Sequence, residues 1–399
     1  MIAFAAGLSA PVKVLLLNNL GFNLGFYMLL PYLSRYITHD LGLAAGFAGF
    51  VMGLRMLSQQ GLFLVGGTLA DRFNYQTVIM TGCGLRVFGF ALFGLVAAPA
   101  GIMAAAFMTG FAGALFTPAY QALMARLTEN HPMREKIYAL QNVSTQAGSF
   151  LGPICGLLLL RLGFTALCVV AAAIFFLLLL LQWRYLPRLE GSEHDSPLPV
   201  WEDWINVFKR KTFVLFCFSM SAYYLMFNQL YVLLPLSVPN EHSVAAIFML
   251  SAILGMTLQM PVSGLTAKLF SRPTRLGIGM ALMGCSFPLL RLPLGSVAEI
   301  PMGPLLTTVV LTLGMLIIFP PAISMVPELG GERNQGVCFG VFYLFAGIAG
   351  ALGGGLTAWL WELSPRALLA GLLIFPLFFS LLLWRCARTI EDTRPIPRN

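Results

Sequence analysis

Charged side chains are scarce in this sequence: aspartate, glutamate, lysine and arginine make up only 10% of the 399 residues. A soluble domain carries about 25% charged residues, so a water-soluble fold would lack surface. The chain is instead 58% hydrophobic, with long apolar stretches such as 171–183. A helix of about 20 apolar residues spans a bilayer, whereas a β-barrel shows alternating segments of about ten residues. The composition predicts an all-α polytopic membrane protein.

The sequence also lacks the patterns that enzymes and cofactor-binding proteins show. It contains no nucleotide-binding loop and no nucleophile–base pair, and its seven cysteines have no metal-ligand spacing. We therefore predict no enzyme activity, no cofactor and no metal. The net charge of +8 does not indicate nucleic-acid binding, because the basic residues lie in short loops between apolar runs, as membrane proteins place them.

The apolar runs predict twelve membrane spans. They lie at 12–36, 44–70, 77–97, 100–127, 136–161, 163–186, 212–238, 243–270, 274–293, 300–326, 334–360 and 364–386. An even number places both termini on one side. Most of the lysines and arginines then share that side, whereas Arg35, Arg161, Arg291 and Arg366 face the other. Because basic loops stay in the cytoplasm, both termini are predicted to be cytoplasmic.

The two halves of the chain resemble each other. One long polar segment, 187–211, divides a predicted six-helix bundle at 1–186 from a second at 212–399, and it ends in an amphipathic stretch that suits the membrane surface. Three segments of the first half recur in order in the second: 27–31 with 231–235, 67–73 with 264–270, and 116–119 with 319–322. Such a parallel repeat is typical of secondary transporters, which bind substrate between their halves near the midplane.

Two motifs resemble the major facilitator superfamily. After the second span stands Gly67-Thr68-Leu69-Ala70-Asp71-Arg72-Phe73, although Asn74, Tyr75 and Gln76 replace the usual glycine and basic residues. The resemblance implies that this motif, above all Gly67, Asp71 and Arg72, latches the halves in the outward-facing state. The fifth span carries Gly148, Gly152, Pro153 and Gly156 in the pattern of the twelve-span drug:proton antiporters. This second resemblance implies export by alternating access, with protons as partners, by a monomer in a bacterial inner membrane.

Two arginines lie deep within predicted spans. Arg55 and Arg86 are each about 15 Å from a membrane surface at 1.5 Å per residue. No acidic residue lies mid-span, and the four histidines lie in loops. The arginines attract an anionic group of a substrate, or they are pins held by carbonyls and amides such as Gln59. Proton coupling is therefore implied only by the resemblance, with Asp71, Glu328 or the substrate's own charge as candidates.

The resemblance further implies that spans 1, 4, 7 and 10, with parts of four others, line a substrate cavity. Aromatic rings with hydrogen-bonding tips in the seventh span suit an amphipathic organic ligand, although packing explains any single residue equally well. The candidate substrate-binding residues are Asn19, Asn23, Tyr27, Arg55, Gln59, Gln121, Tyr223, Tyr224, Asn228, Gln229, Tyr231 and Gln259.

The sequence thus favours a secondary active transporter that exports amphipathic small molecules, anionic or zwitterionic ones among them. An uptake symporter of an organic solute is the alternative within transporters, and the motif in the fifth span speaks against it. A lipid-handling or signalling protein embedded in the membrane would share this composition, but neither the repeat nor the motif at 67–73.

Overall fold

The computed structural model describes residues 7–129, 133–190, 199–238, 241–292, 295–297, 300–331 and 334–393. Parts of the predicted linker, 191–198, and of the predicted cytoplasmic tail, 394–399, lie outside the described residues. Almost all of the described chain is helical. The described residues also include a short β-hairpin of two strands with two residues each. In it, Ser296–Val297 (β1) pairs antiparallel with Ile300–Pro301 (β2).

Among the described residues, seven α-helices precede the linker, and a short π-helical turn, Tyr36–Asp40, follows the first of them. They are α1 (Ala10–Arg35), α2 (Ala45–Gln60), α3 (Phe63–Arg72), α4 (Tyr75–Leu95), α5 (Pro99–Leu127), α6 (Arg134–Leu160) and α7 (Phe164–Tyr185). Their boundaries follow local chemistry. Asn74 caps α4 by accepting a hydrogen bond from the backbone N–H of Gln76 at 2.9 Å. Helix α5 begins at Pro99, whose missing N–H is harmless in a first turn.

Eight α-helices follow in the described part of the chain. They are α8 (Val200–Phe208), α9 (Lys211–Asn228), α10 (Leu233–Leu236), α11 (Glu241–Leu269), α12 (Arg272–Ser286), α13 (Met302–Gly330), α14 (Gln335–Leu363) and α15 (Pro365–Thr393). The short α8 corresponds to the predicted amphipathic stretch. Trp201, Ile205 and Phe208 are exposed along one of its faces, at the spacing of a helical stripe.

Ten helical segments of the described chain are long and apolar enough to cross a membrane, which confirms the all-α polytopic fold. The predicted spans at 44–70 and 274–293 are not continuous helices. The first is broken between α2 and α3, where Leu62 has φ −104° and ψ 6° beside Gly61. The second changes from α12 to a 3₁₀ turn at Phe287–Arg291, because Pro288 has no N–H to continue the α-helical ladder.

The described residues group into two compact units. The first comprises Met1–His131, Ser144–Val207 and Gly330–Leu344, and the second Pro132–Val143, Phe208–Leu329 and Phe345–Asn399. The start of α6 thus packs in the second unit and the start of α14 in the first. The domain bounds 1–186, 187–211 and 212–399, which follow the chain without this exchange, stay a prediction.

The apolar core of the first unit positions its functional side chains. Helix α4 packs against α5 and α7, and α1 against α7. Phe90, Phe93 and Phe175 are almost fully buried in this core. The Phe90 and Phe175 rings lie 5.1 Å apart between centroids, a favourable distance for aromatic pairs. Close packing here fixes the direction in which the polar groups of α4 point.

Candidate functional site

The carboxylate of Asp71 lies at the N-terminus of α14, within the first unit. Its two oxygens accept hydrogen bonds from the backbone N–H groups of Gly336 at 2.8 Å and Val337 at 2.7 Å. The Tyr75 hydroxyl donates to the same carboxylate at 3.2 Å. The first N–H groups of a helix have no partner within it, and the helix dipole favours an anion there. Asp71 therefore satisfies two such groups while only 1% exposed.

Gly67 makes the close approach of α3 to the start of α14 possible. A Cβ atom at Gly67 would lie 2.1 Å from the Gly336 carbonyl oxygen, and one at Gly336 would lie 2.3 Å from the Gly67 carbonyl oxygen. Neither backbone can yield without separating the two helices. The glycine at this position of the motif is thus required by the same contact that brings Asp71 to the helix end.

Arg72, the next residue of the motif, binds the linker helix α8. Its Nη2 lies 2.5 Å from Oδ2 of Asp203, a carboxylate that is almost fully buried. One residue further, the Trp204 indole N–H donates to the Thr68 hydroxyl at 2.8 Å. Helix α8 is therefore tied to α3 through two side chains, while its apolar face with Trp201 stays exposed.

A second charge cluster lies within the second unit. Glu135, at the start of α6, lies 2.5 Å from Arg272 and 2.7 Å from Arg275, at the start of α12. Arg272 also contacts Glu328 near the end of α13, at 2.9 Å. The turn before α12 is the repeat counterpart of the turn that follows Asp71 and Arg72. In the first unit, the carboxylate of Asp71 therefore binds backbone N–H groups at the start of a helix. In the second unit, the carboxylate of Glu135 binds the side chains of two arginines instead.

The glycines of the antiporter-like motif face α1. Cβ atoms added at Gly148, Gly152 and Gly156 would lie 2.6 Å from the Leu20 oxygen, 2.7 Å from the Tyr27 side chain and 2.3 Å from the Met28 oxygen. Such a stripe of small residues allows the backbones of two membrane helices to approach closely.

Pro153 contributes to the same contact. It lies inside α6, where a proline withholds a backbone donor and bends a helix. Its carbonyl accepts a hydrogen bond from the Tyr32 hydroxyl at 2.7 Å. The motif is therefore a packing surface between α6 and α1.

Alanine at Gly156 should loosen this packing surface. The added methyl would overlap the Met28 carbonyl oxygen, so we expect a loss of about 1–3 kcal/mol, the usual cost of overpacking. The measurement is the midpoint of thermal unfolding of the purified protein. Gly264→Ala, where an added Cβ meets nothing within 4 Å, is the matched control and should leave the midpoint unchanged. Equal midpoints for the two variants would contradict the packing role.

The two arginines of the spans lie in the first unit and line one small pocket. Arg55 donates to the Gln59 amide oxygen at 3.0 Å and lies 4.3 Å above the centroid of the Phe26 ring. Arg86 is 1% exposed, and its guanidinium carbon lies 3.3 Å above the Phe22 ring. An amide thus holds Arg55, as one sequence interpretation expected, whereas Arg86 packs against aromatic rings instead of the expected carbonyls and amides.

The other polar candidates of the first unit lie on two helices, α1 and α5. Asn19, on α1, donates to the Thr145 hydroxyl of α6 at 2.7 Å, and Asn23 donates to the Asn19 backbone oxygen at 2.7 Å. Tyr27 is half-buried on the same helix. The Gln121 amide of α5 donates to the Tyr343 hydroxyl at 3.0 Å. Whether these groups contact a substrate stays a prediction.

The candidates of the second unit form an aromatic ladder on α9 and the turn after it. Tyr223 lies 5.1 Å from Tyr224 and 6.4 Å from Phe227, and Phe227 lies 5.5 Å from Tyr231, between ring centroids. Tyr231 is 40% exposed. This ladder could stack against a planar ligand.

The amide candidates of the second unit have partners of their own. Gln229 donates to the Leu225 oxygen at 2.9 Å. Gln259 donates to the Leu316 oxygen at 3.1 Å and accepts from Asn142 at 2.5 Å. The Asn228 amide is close enough to α14 that a Cβ at Gly350 would lie 2.4 Å from it. Gln229 and Gln259 are fully buried, which makes them better suited to packing than to a ligand.

Sequence reasoning missed the partners of the charged motif residues. Asp203, Trp204, Glu135 and Arg275 were not candidates, although each contacts a charged or motif residue at the end of a helix. The available signal was the repeat itself, because the turn after α11 corresponds to the turn that follows Asp71 and Arg72.

Comparisons with known proteins agree with these motifs. A profile of the Major Facilitator Superfamily matches residues 15–354. An uncharacterized MFS-type transporter of Mycobacterium tuberculosis is 35% identical over 365 residues, which cover 89% of this chain and 86% of the relative. The multidrug resistance protein MdtH of Salmonella typhimurium is 30% identical over 356 residues, which cover 88% of this chain and 86% of the relative.

A solved structure gives the same architecture at low identity. A POT family transporter in complex with a thioalcohol conjugated peptide superposes with a TM-score of 0.72 at 15% identity, over 96% of each chain. At that identity the likeness shows the fold alone.

Proposed function

Because the chain belongs to the major facilitator superfamily and is therefore a membrane transporter of small molecules, we propose that it exports amphipathic organic compounds by alternating access. The compounds are drug-like or siderophore-like, and anionic or zwitterionic ones are among them. Export is supported by the multidrug resistance relatives and by the glycine surface of α6, which fits the antiporter pattern. The proposed location is a bacterial inner membrane with both termini in the cytoplasm, and the proposed active form is a monomer.

The single observation that carries the substrate class is the pair of arginines in the first unit. Arg55 and Arg86 line one pocket, and no carboxylate lies within salt-bridge distance of either among the described residues. A guanidinium in a membrane interior is costly unless it is paired, so it favours an anionic ligand group. Within the second unit, the aromatic ladder around Tyr223 and Tyr231 is a separate candidate surface for an apolar ligand group.

The latch role of the motif belongs to the same proposal. Asp71 holds the first N–H groups of α14 at 2.7 and 2.8 Å, and the cluster of Glu135 with Arg272 ties α6 to α12. In the proposed alternating access, these contacts form in one state and break in the other. Protons are the proposed coupling ion, and the acids of the two clusters are the proposed proton carriers.

Inside-out vesicles test the substrate class. A zwitterionic fluoroquinolone and its cationic methyl ester are compared under an imposed pH gradient with an acidic lumen. We expect faster uptake of the carboxylate compound, dependent on the gradient. Arg55→Ala should lower its uptake about tenfold, the equivalent of one ion-pair contact of about 1.4 kcal/mol, with little change for the ester.

Arg161→Ala is the matched control, because Arg161 is exposed at the end of α6 and lies outside the pocket. It should transport both compounds at the wild-type rate. Preferential transport of the cationic ester that is retained in Arg55→Ala would remove the anion argument. Uptake that ignores the pH gradient would refute proton coupling while leaving the family assignment intact.

A further inference from the structure

Arg86 has an unusual environment for a buried cation. Its side chain is 1% exposed, and its Nε has no hydrogen-bond partner among the described residues. Its guanidinium carbon lies 3.3 Å from the Phe22 ring centroid and 5.4 Å from that of Phe175. Aromatic faces offset part of the cost of burying a cation, but they do not satisfy its N–H donors. Arg86 thus lines the pocket with an Nε–H donor that has no partner among the described residues.

A second set of donors converges on the same place. Arg55 faces this pocket from α2 and is held there by Gln59. The Gln59 amide nitrogen and Nη2 of Arg86 would lie 3.0 and 3.1 Å from one point, a Cβ atom built on Gly113. The Arg86 guanidinium therefore lies beside the same amide that binds Arg55, in a place too crowded for a side chain larger than glycine.

The rest of the pocket excludes a protein counter-charge. Besides the two arginines it is lined by Thr109 and by aliphatic and aromatic side chains, Phe90 and Phe93 among them. The Thr109 hydroxyl already donates to the Ala105 carbonyl at 2.9 Å. Arginine keeps its charge in proteins, and two like charges without a carboxylate repel each other in a medium of low dielectric. The missing component is an anion.

We propose that the pocket between Arg55 and Arg86 binds one monovalent anion, a carboxylate group or a halide, within the first unit. In this proposal Arg86 binds a ligand, in addition to packing against the neighbouring aromatic rings. If the bound carboxylate belongs to the transported compound, this proposal rests on the proposed export function and names the binding site for the anionic group. Binding itself is independent of transport, since all of the anion's contacts come from one unit.

Anion-dependent thermal stabilisation of the purified wild-type protein tests this site. The protein, in HEPES at low ionic strength, is titrated with sodium benzoate, with sodium chloride and with benzamide, the uncharged isostere of benzoate. A ligand that binds only the folded state raises the unfolding midpoint with a saturable dependence on concentration. We expect saturation with benzoate or chloride and none with benzamide. Saturation by benzoate alone assigns the site to an organic carboxylate, and equal saturation by chloride assigns it to a free small anion.

Arg55→Gln and Arg86→Gln should each weaken the apparent anion affinity at least tenfold. If Arg86→Gln does not fold, Arg86→Lys replaces it in the titration. Because this variant keeps the positive charge, it should retain saturable anion binding. The matched control is Arg291→Gln, because Arg291 is exposed; its affinity should equal that of the wild type. Absence of a saturable anion effect, or one unchanged in both glutamine variants, overturns the site. Export that persists without anion binding separates this failure from a failure of the proposed function.

Discussion

Replacing Asp71 by asparagine should slow transport by at least tenfold at an unchanged level of protein in the membrane. The carboxylate accepts two backbone hydrogen bonds from the start of α14 while almost fully buried. Hydrogen bonds to charged groups contribute about 1.5–3 kcal/mol each. An asparagine keeps one acceptor oxygen and turns the other position into a donor that faces a donor. The state that contains this contact would lose about ten- to hundredfold in population.

The same variant should expose the start of α14. Cys338 follows Val337 directly and is fully buried, so its thiol reports on this helix end. In a protein that retains Cys338 as its only cysteine, we expect Asp71→Asn to raise the rate of labelling by a maleimide. Asp40→Asn, the same change at an exposed aspartate, is the control and should alter neither rate. Slower transport without faster labelling would argue that Asp71 acts elsewhere than at this contact.

Glutamine at Glu135 should cause the largest loss of stability among single charge removals. The Glu135 carboxylate contacts Arg272 and Arg275, and the Arg275 side chain is 5% exposed. Removing one partner of a buried pair leaves the other charge uncompensated, at a cost of about 3–5 kcal/mol. In the variant, Arg272 still forms its ion pair with Glu328 and is partly accessible to solvent. We therefore expect the free energy of unfolding to fall by about 2–4 kcal/mol, less than for a fully buried pair. The measurement is the midpoint of thermal unfolding in detergent.

Glu129→Gln provides the matched control for this loss. Glu129 is exposed just after α5, and its neutralisation should change the midpoint little. The double variant Glu135→Gln with Arg275→Gln should recover part of the lost stability, because it removes the orphaned cation as well. A midpoint for Glu135→Gln equal to that of Glu129→Gln would show that the cluster contributes nothing measurable to the folded state.

The local patterns of the sequence predicted much of the fold. Apolar runs of about 20 residues define spans whatever their neighbours are, and ten helices of that kind are present in the described chain. The interruption at Leu62 was not predictable from hydropathy, since both sides of it are apolar. Pro288 indicated the change of helix type at Phe287. The prediction of one continuous span followed the long apolar run around it instead.

The partners of the charged side chains were beyond sequence reasoning. Asp71 was recognised because its motif is contiguous, whereas Glu135 and Arg272 are 137 residues apart. Arg72 and Asp203 are 131 apart. Nothing local pairs residues at such separations. Nothing local in the sequence indicated that rings of α1 and α7, Phe22 and Phe175, lie beside Arg86.

Export itself is tested most directly by the direction of movement in paired membrane vesicles. Inside-out and right-side-out vesicles are prepared from the same cells, and the carboxylate substrate is added outside both. We predict accumulation in inside-out vesicles with an acidic lumen, abolished or strongly reduced in Asp71→Asn, and no accumulation in energised right-side-out vesicles. Accumulation in right-side-out vesicles that requires the wild-type protein would identify an uptake symporter and contradict the account.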